Sequence, residues 1–132
     1  MTVSILLPTR KRVPLLKKCV ESLLDNASDP TKIQLLFGVD DDDPETIDYL
    51  KDFKHPARSV IKFQRQGYEN LHLYNNSLAS YAQGLWIMFF NDDAIMKTKN
   101  WDLEINKFDG QFKLLKVQEQ TGHPYSIFPI MP

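Results

Sequence analysis

Along residues 3–90 the hydrophobic pattern switches repeatedly between a strand-like and a helical period, and this alternation restricts the chain to an α/β fold. Residues 3–7, 33–39 and 85–90 are nearly continuous apolar runs, and residues 60–64 form a shorter one. Continuous runs of that length suit strands buried on both faces of a parallel sheet. Between them the period lengthens. Leu16, Cys19, Val20, Leu23 and Leu24 recur at three- and four-residue steps from Val13, with Pro14 tolerated in the first turn. Asp43 precedes Pro44, so Asp43 can cap a helix that turns Ile47, Leu50 and Phe53 inward. Residues 70–83 carry Leu71, Tyr74, Leu78, Tyr81 and Ala82 on one helical face, and Gly84 fits the position just past its end. Strands alternating with helices imply right-handed βαβ units. The expectation is a three-layer α/β/α, Rossmann-like domain over residues 1–132 with a mainly parallel sheet. Residues 112–117 read as a further strand, whereas residues 122–129 have no clear period.

Composition narrows the function. A formal net charge of -1 argues against nucleic acid as a partner. No stretch approaches the roughly 20 apolar residues that cross a bilayer, and no signal-peptide pattern opens the chain, so a cytoplasmic protein is the simplest reading. The single cysteine, Cys19, lies on an apolar helical face and reads as a core residue rather than a nucleophile.

Ligands of open α/β sheets bind beyond the carboxyl ends of the strands. Three polar clusters fall at such ends: Pro8-Thr9-Arg10-Lys11-Arg12, the four consecutive aspartates Asp40 to Asp43, and Asn91-Asp92-Asp93. A parallel order places all three on one rim. Carboxylates there suit Mg²⁺ or Mn²⁺, which take one or two protein carboxylates together with substrate phosphates. An isolated Asn-Asp-Asp would more simply end a strand and begin a turn, but the shared rim favours a site. Within the aspartate run, Asp43 reads as a helix cap and Asp42 as solvated. Asp40 and Asp41 are the candidates to accept a base N–H or a ribose hydroxyl. Arg10, Lys11 and Arg12 either offset a pyrophosphate or form a solvated loop. A glycine-rich phosphate loop is missing from the sequence, and His55, His72 and His123 lie in unrelated contexts with no nucleophile elbow.

These residues resemble the family 2 glycosyltransferases of the GT-A fold. Ser4-Ile5-Leu6-Leu7-Pro8-Thr9-Arg10 is similar to the family's opening strand and base-contacting Pro-Thr loop. Gly38-Val39-Asp40-Asp41-Asp42-Asp43 is similar to a segment whose leading aspartate contacts the base. Asn75-Asn76-Ser77 with Ala82-Gln83-Gly84 resembles the family's Arg-Asn helix, and Trp86 to Asp93 resembles the strand leading to Asp-x-Asp. Order and spacing agree from residue 3 to about residue 94. The resemblance implies a nucleotide-binding half with Pro8, Thr9, Arg10, Asp40, Asp41, Asn76, Asn91 and Asp92 around the nucleotide, and Asp93 on Mn²⁺ or Mg²⁺. It also implies transfer of a sugar from a nucleoside diphosphate to an acceptor hydroxyl on a sugar, lipid or other compound.

The departures are specific. Asn91 stands in place of the first aspartate of Asp-x-Asp, which implies a weaker metal site, and Asn75 stands where the family usually has arginine. The family's catalytic base lies beyond this motif. Asp102, Glu104 and Asp109 are candidates for it, and Trp101 could stack on an acceptor or simply pack. An acceptor half shortened or missing would leave apolar surface that self-association could cover. Two alternatives remain beside the transferase: a sugar-nucleotide-binding module without turnover, and a nucleotidyltransferase, which usually carries a glycine-rich, basic signature after its first strand.

Overall fold

Strands β1 (Val3–Thr9), β2 (Ile33–Asp40), β3 (Arg58–Phe63), β4 (Trp86–Phe89) and β5 (Ile130–Met131) pair into one sheet, and helices α1 (Val13–Asp25), α2 (Pro44–Asp52), α3 (Leu71–Ala79) and α4 (Trp101–Asn106) pack around it. The structure is a computed structural model that describes residues 2–111, 115 and 130–132. The strand order is β3-β2-β1-β4-β5. The first four strands are parallel to their neighbours, and β5 joins antiparallel to β4.

The order explains the layers. From β1 through β3 the chain steps in one direction, then returns to place β4 on the other side of β1. Right-handed crossovers therefore put α1 and α2 on one face and α3 on the opposite face. The strand residues sort accordingly. Val3, Ile5 and Leu7 of β1, with Ile33, Leu35, Phe37 and Val39 of β2, pack with Leu16, Cys19, Val20 and Leu23 of α1, Leu50 of α2, and Trp101 and Ile105 of α4. Leu6 and Leu36 point the other way and meet Leu78 of α3. The expected three-layer architecture is what forms.

Asp43 caps α2 as its spacing suggests: its carboxylate accepts from the Thr46 N–H at 3.5 Å and from Thr46 Oγ1 at 2.7 Å. Cys19 is buried, and burial, followed by the charges of Asp92 and Asp93, pushes its thiol up to about 12. It stays protonated at neutral pH and is a core residue, not a nucleophile.

The third helix is shorter than its periodicity predicts. It ends at Ala79, and Tyr81 and Ala82 then make tight turns by donating to the carbonyls of Leu78 and Ala79. Tyr81 is 52% exposed rather than inward-facing. The cause is a buried polar pair at the start of the neighbouring strands. Ser4 Oγ donates to Gln34 Oε1 at 2.6 Å, and the N–H groups of Gln83 and Gly84 turn toward these two oxygens. Gly84 is thus required for a close approach to β1, not for ending a helix. Its missing Cβ would lie 2.7 Å from Ser4 N.

The strand expected at residues 112–117 lies outside the described residues except for Leu115, which bridges antiparallel to Ile130. Residues 122–129 also lie outside them. No helix among the described residues is long and apolar enough to cross a membrane.

Candidate functional site

The strand order reverses between β1 and β4, and a crevice opens beyond the carboxyl ends of strands at such a switch. Here it is a cleft of about 570 Å³. The end of β1 contributes Pro8, Thr9, Arg10 and Arg12, the end of β2 contributes Asp40, and the segment after β4 contributes Asn91, Asp92 and Asp93. Asp40 and Asp93 therefore border the same space.

Asp40 is buried at 4% exposure and both of its oxygens have partners. Arg10 Nη1 donates to Oδ2 at 2.8 Å, and the Tyr74 hydroxyl donates to Oδ1. Tyr74 in turn accepts from the Gln66 N–H at 2.9 Å. Burial first, then the bond to Asp40, raises the Tyr74 pKa, so the phenol remains a donor at neutral pH. Arg10 also forks onto Asp42 through both terminal nitrogens. That pair raises the guanidinium pKa and lowers the Asp42 pKa, each chiefly through the other. Asp42, expected to be solvated, is half-exposed but ion-paired.

Asp92 is buried, and its Oδ2 accepts from Thr9 Oγ1 at 2.9 Å, joining the ends of β1 and β4. Arg12 Nη1 donates to its Oδ1 at 3.3 Å. Burial raises the Asp92 pKa despite these bonds. Asp93 is exposed, with Oδ2 3.6 Å from Arg12 Nη1. Lys11 takes a left-handed backbone conformation, φ 51°, and its N–H donates to Asp43 Oδ2 at 2.7 Å. That bond holds the loop bearing Arg10 and Arg12.

Of the residues expected around a nucleotide, Pro8, Thr9, Arg10, Asp40, Asn91 and Asp92 line the cleft, as does Asp93. Asp41 and Asn76 are exposed and lie outside the lining. The neighbouring Asn75 lines it instead, and its Oδ1 is buried with no hydrogen-bond partner among the described residues. The wall formed by Arg65, Gly67, Leu71 and Tyr74 was not anticipated from the sequence. Arg65 follows β3 as the other clusters follow their strands, so the rule of strand carboxyl ends applied to β3 identifies it.

The residues proposed beyond the motif sit elsewhere. Asp102 is buried and accepts from the Ser28 N–H and Oγ and from the Asp29 N–H. Asp109 accepts from Trp86 Nε1 at 2.7 Å, and exposed Glu104 pairs with Lys107. None of the three lines the cleft. Trp101 is buried at 3% exposure and donates to the Leu23 carbonyl at 2.8 Å, so it packs rather than stacking on a ligand.

No group of three or more His, Cys, Asp or Glu among the described residues is arranged to hold a metal ion. The donor set nevertheless fits a hard cation that is completed by a ligand. Asp93 offers an exposed carboxylate at the cleft, and Mg²⁺-type ions are commonly held by one or two carboxylates plus phosphate oxygens.

A mainly parallel sheet, helices on both faces and an acid-tipped β4 beside the switch point define a GT-A glycosyltransferase fold. The sequence matches glycosyl transferase family 2 over residues 4–120, and the chain belongs to that family. Solved structures agree in fold. TarS 1-349 from S. aureus superposes with a TM-score of 0.73 at 18% identity, covering 96% of this chain and 39% of that one. Its complex with UDP gives a TM-score of 0.71 at 16% identity, covering 95% of this chain and 38% of that one. The mannosyltransferase PcManGT from Pyrobaculum calidifontis, in complex with GDP-Man and Mn²⁺, gives 0.75 at 12% identity, covering 98% and 44%. The chain thus spans well under half the length of these proteins. No curated protein matches it in sequence.

Proposed function

We propose that residues 1–132 form a nucleotide-sugar-binding domain whose cleft holds the nucleoside diphosphate of a sugar donor, for metal-assisted transfer of the sugar to an acceptor hydroxyl. The observation that carries this reading is the convergence of the β1, β2 and β4 rim clusters, with Asp40 and Asp93 on one cleft. Pro8, Thr9 and Asp40 form the base side. Arg10 and Tyr74 fix the Asp40 carboxylate, and Asn75 Oδ1 is an acceptor left for a ligand N–H or O–H. In this reading Asn91 and Asp92, both on the cleft, take the ribose, and Arg12 and Arg65 offset phosphate charge. Asp93 would hold Mn²⁺ or Mg²⁺ together with the donor's phosphate oxygens. A cation held there would supply positive charge to offset that of the diphosphate leaving group.

Calorimetry with UDP, GDP and TDP, with and without Mn²⁺, tests the proposal. At least one nucleotide should bind, and more tightly with Mn²⁺. In Asp93→Asn the metal-dependent part should fall by about tenfold, near 1.4 kcal/mol. If no nucleotide binds even with Mn²⁺ present, the proposal fails.

A second reading, a binding module without turnover, is favoured by one finding: Asp102, Glu104 and Asp109 all lie off the cleft. Catalytic release of nucleotide from a sugar donor would rule it out.

A further inference from the structure

Arg12 lies against both carboxylates of the Asn91-Asp92-Asp93 cluster. One nitrogen, Nη1, is 3.3 Å from Asp92 Oδ1 and 3.6 Å from Asp93 Oδ2. Both contacts are long, and the side chain is 49% exposed. Arg10 offers the contrast: it approaches Asp40 at 2.8 Å, uses both terminal nitrogens on Asp42, and is 26% exposed. Arg10 is built in, whereas Arg12 is loosely held.

The backbone of Arg12 is fixed, because its carbonyl accepts the Leu16 N–H at 2.8 Å at the start of α1. Only the long side chain is left to move, and it starts on the lining of the cleft. Charge then decides where it goes. With an amide at Asn91, the cluster holds two carboxylates against one guanidinium. A divalent cation added at Asp93 would face Arg12 at close range, and two like charges a few ångströms apart repel. A diphosphate in the cleft provides the guanidinium with a better-matched anion, since Arg forks pair with phosphate oxygens bidentately.

We propose that Arg12 is an exchangeable counter-ion. In the ligand-free cleft it occupies Asp92 and Asp93, and it leaves them when a divalent cation enters at Asp93. The donor's diphosphate then receives it. The last step rests on the donor reading of the cleft, whereas the first involves only this chain and a metal. Arg12 is a ligand-binding residue in this scheme, and it couples the two ligands: each strengthens binding of the other by the same factor.

The test is a titration of Mn²⁺ into the protein without nucleotide, followed by the electron paramagnetic resonance signal of the free ion. The Arg12→Gln variant should bind Mn²⁺ alone about tenfold more tightly than wild type, because a competing positive charge is gone. Arg12→Lys, which keeps the charge, should stay near wild type. Circular dichroism and thermal unfolding verify that both variants fold. Equal or weaker Mn²⁺ binding in Arg12→Gln overturns the proposal, as does a lack of Mn²⁺ binding in all three proteins. Repeating the titration with UDP or GDP should show a smaller gain from nucleotide in Arg12→Gln than in wild type, and an equal gain overturns the coupling. Failure of the donor reading looks different: neither nucleotide binds any of the proteins at saturating Mn²⁺, while the metal-alone comparison still gives its answer.

Discussion

Replacing Asp102 with alanine is expected to destabilise the protein by about 2–4 kcal/mol, the cost of orphaning hydrogen-bond donors around a buried charge. Asp102 opens α4 at 3% exposure and ties that helix to the loop between α1 and β2. It accepts from the Ser28 N–H at 2.8 Å, from Ser28 Oγ at 2.7 Å and from the Asp29 N–H at 3.2 Å. Alanine leaves two backbone N–H groups without that acceptor. The melting temperature should fall by about 10 °C for a chain of this size. The effect has a definite pH dependence. Burial acts to raise the Asp102 pKa, but the bonds from Ser28 and Asp29 outweigh it and leave the pKa lowered. A carboxyl with a lowered folded-state pKa contributes stability that is complete above its unfolded value, about 3.9. That stability drains away as pH falls through the folded value. Thermal melts of wild type and Asp102→Asn should therefore differ widely at pH 7 and converge in strong acid. A gap unchanged at low pH would show that the charge is not what stabilises this corner.

Gly84→Ala is expected to cost about 3 kcal/mol, at the upper end of the range for overpacking a closed site. The added Cβ would sit 2.7 Å from Ser4 N and 2.8 Å from Val3 C. Both are backbone atoms of β1, the central strand, and cannot rotate aside as a side chain would. Relief requires moving the segment before β4. That movement stretches the Gly84 N–H bond to Ser4 Oγ, now 2.8 Å, and the Gln83 N–H bond to Gln34 Oε1, also 2.8 Å. Because β4 carries the Asn91-Asp92-Asp93 segment at its far end, ligand affinity should weaken along with stability. Chemical denaturation measures the first effect, and a stability within about 0.5 kcal/mol of wild type would refute the steric argument.

The centre of the sheet was legible because β1 and β2 are buried on both faces. A run such as residues 33–39 has no polar alternation to confuse with a surface strand, and the helical stripe from Leu16 to Leu23 has one consistent period. The end of α3 was not legible. Tyr81 and Ala82 continue the three- and four-residue spacing set by Leu71, Tyr74 and Leu78, yet the helix stops at Ala79. Local spacing carries no trace of the buried oxygens of Ser4 and Gln34, which are remote in sequence and draw the chain away. The candidate site divides in the same manner. Residues at the carboxyl ends of β1 and β2, and in the segment after β4, were found from their position, with the exception of Asp41. Tyr74 was read only as a packing residue, because its hydroxyl meets Asp40 across 34 residues of sequence. Arg65 reaches the cleft through the path of the β3–α3 crossover, which no local motif announces, whereas Asn75 lies in the Asn75-Asn76-Ser77 motif, from which Asn76 was taken as the ligand residue.

Asp43 closes the first turn of α2 through Thr46 and also accepts the Lys11 N–H. Its two duties cannot be optimised separately. Serine is as good a residue for starting a helix, but its single, shorter-armed hydroxyl would not serve both Thr46 and the opposite loop. Selection for a sturdier scaffold at this position would therefore loosen the segment that presents Arg10 and Arg12. Any lineage or laboratory library that accepts such an exchange has to rebuild that loop by other means.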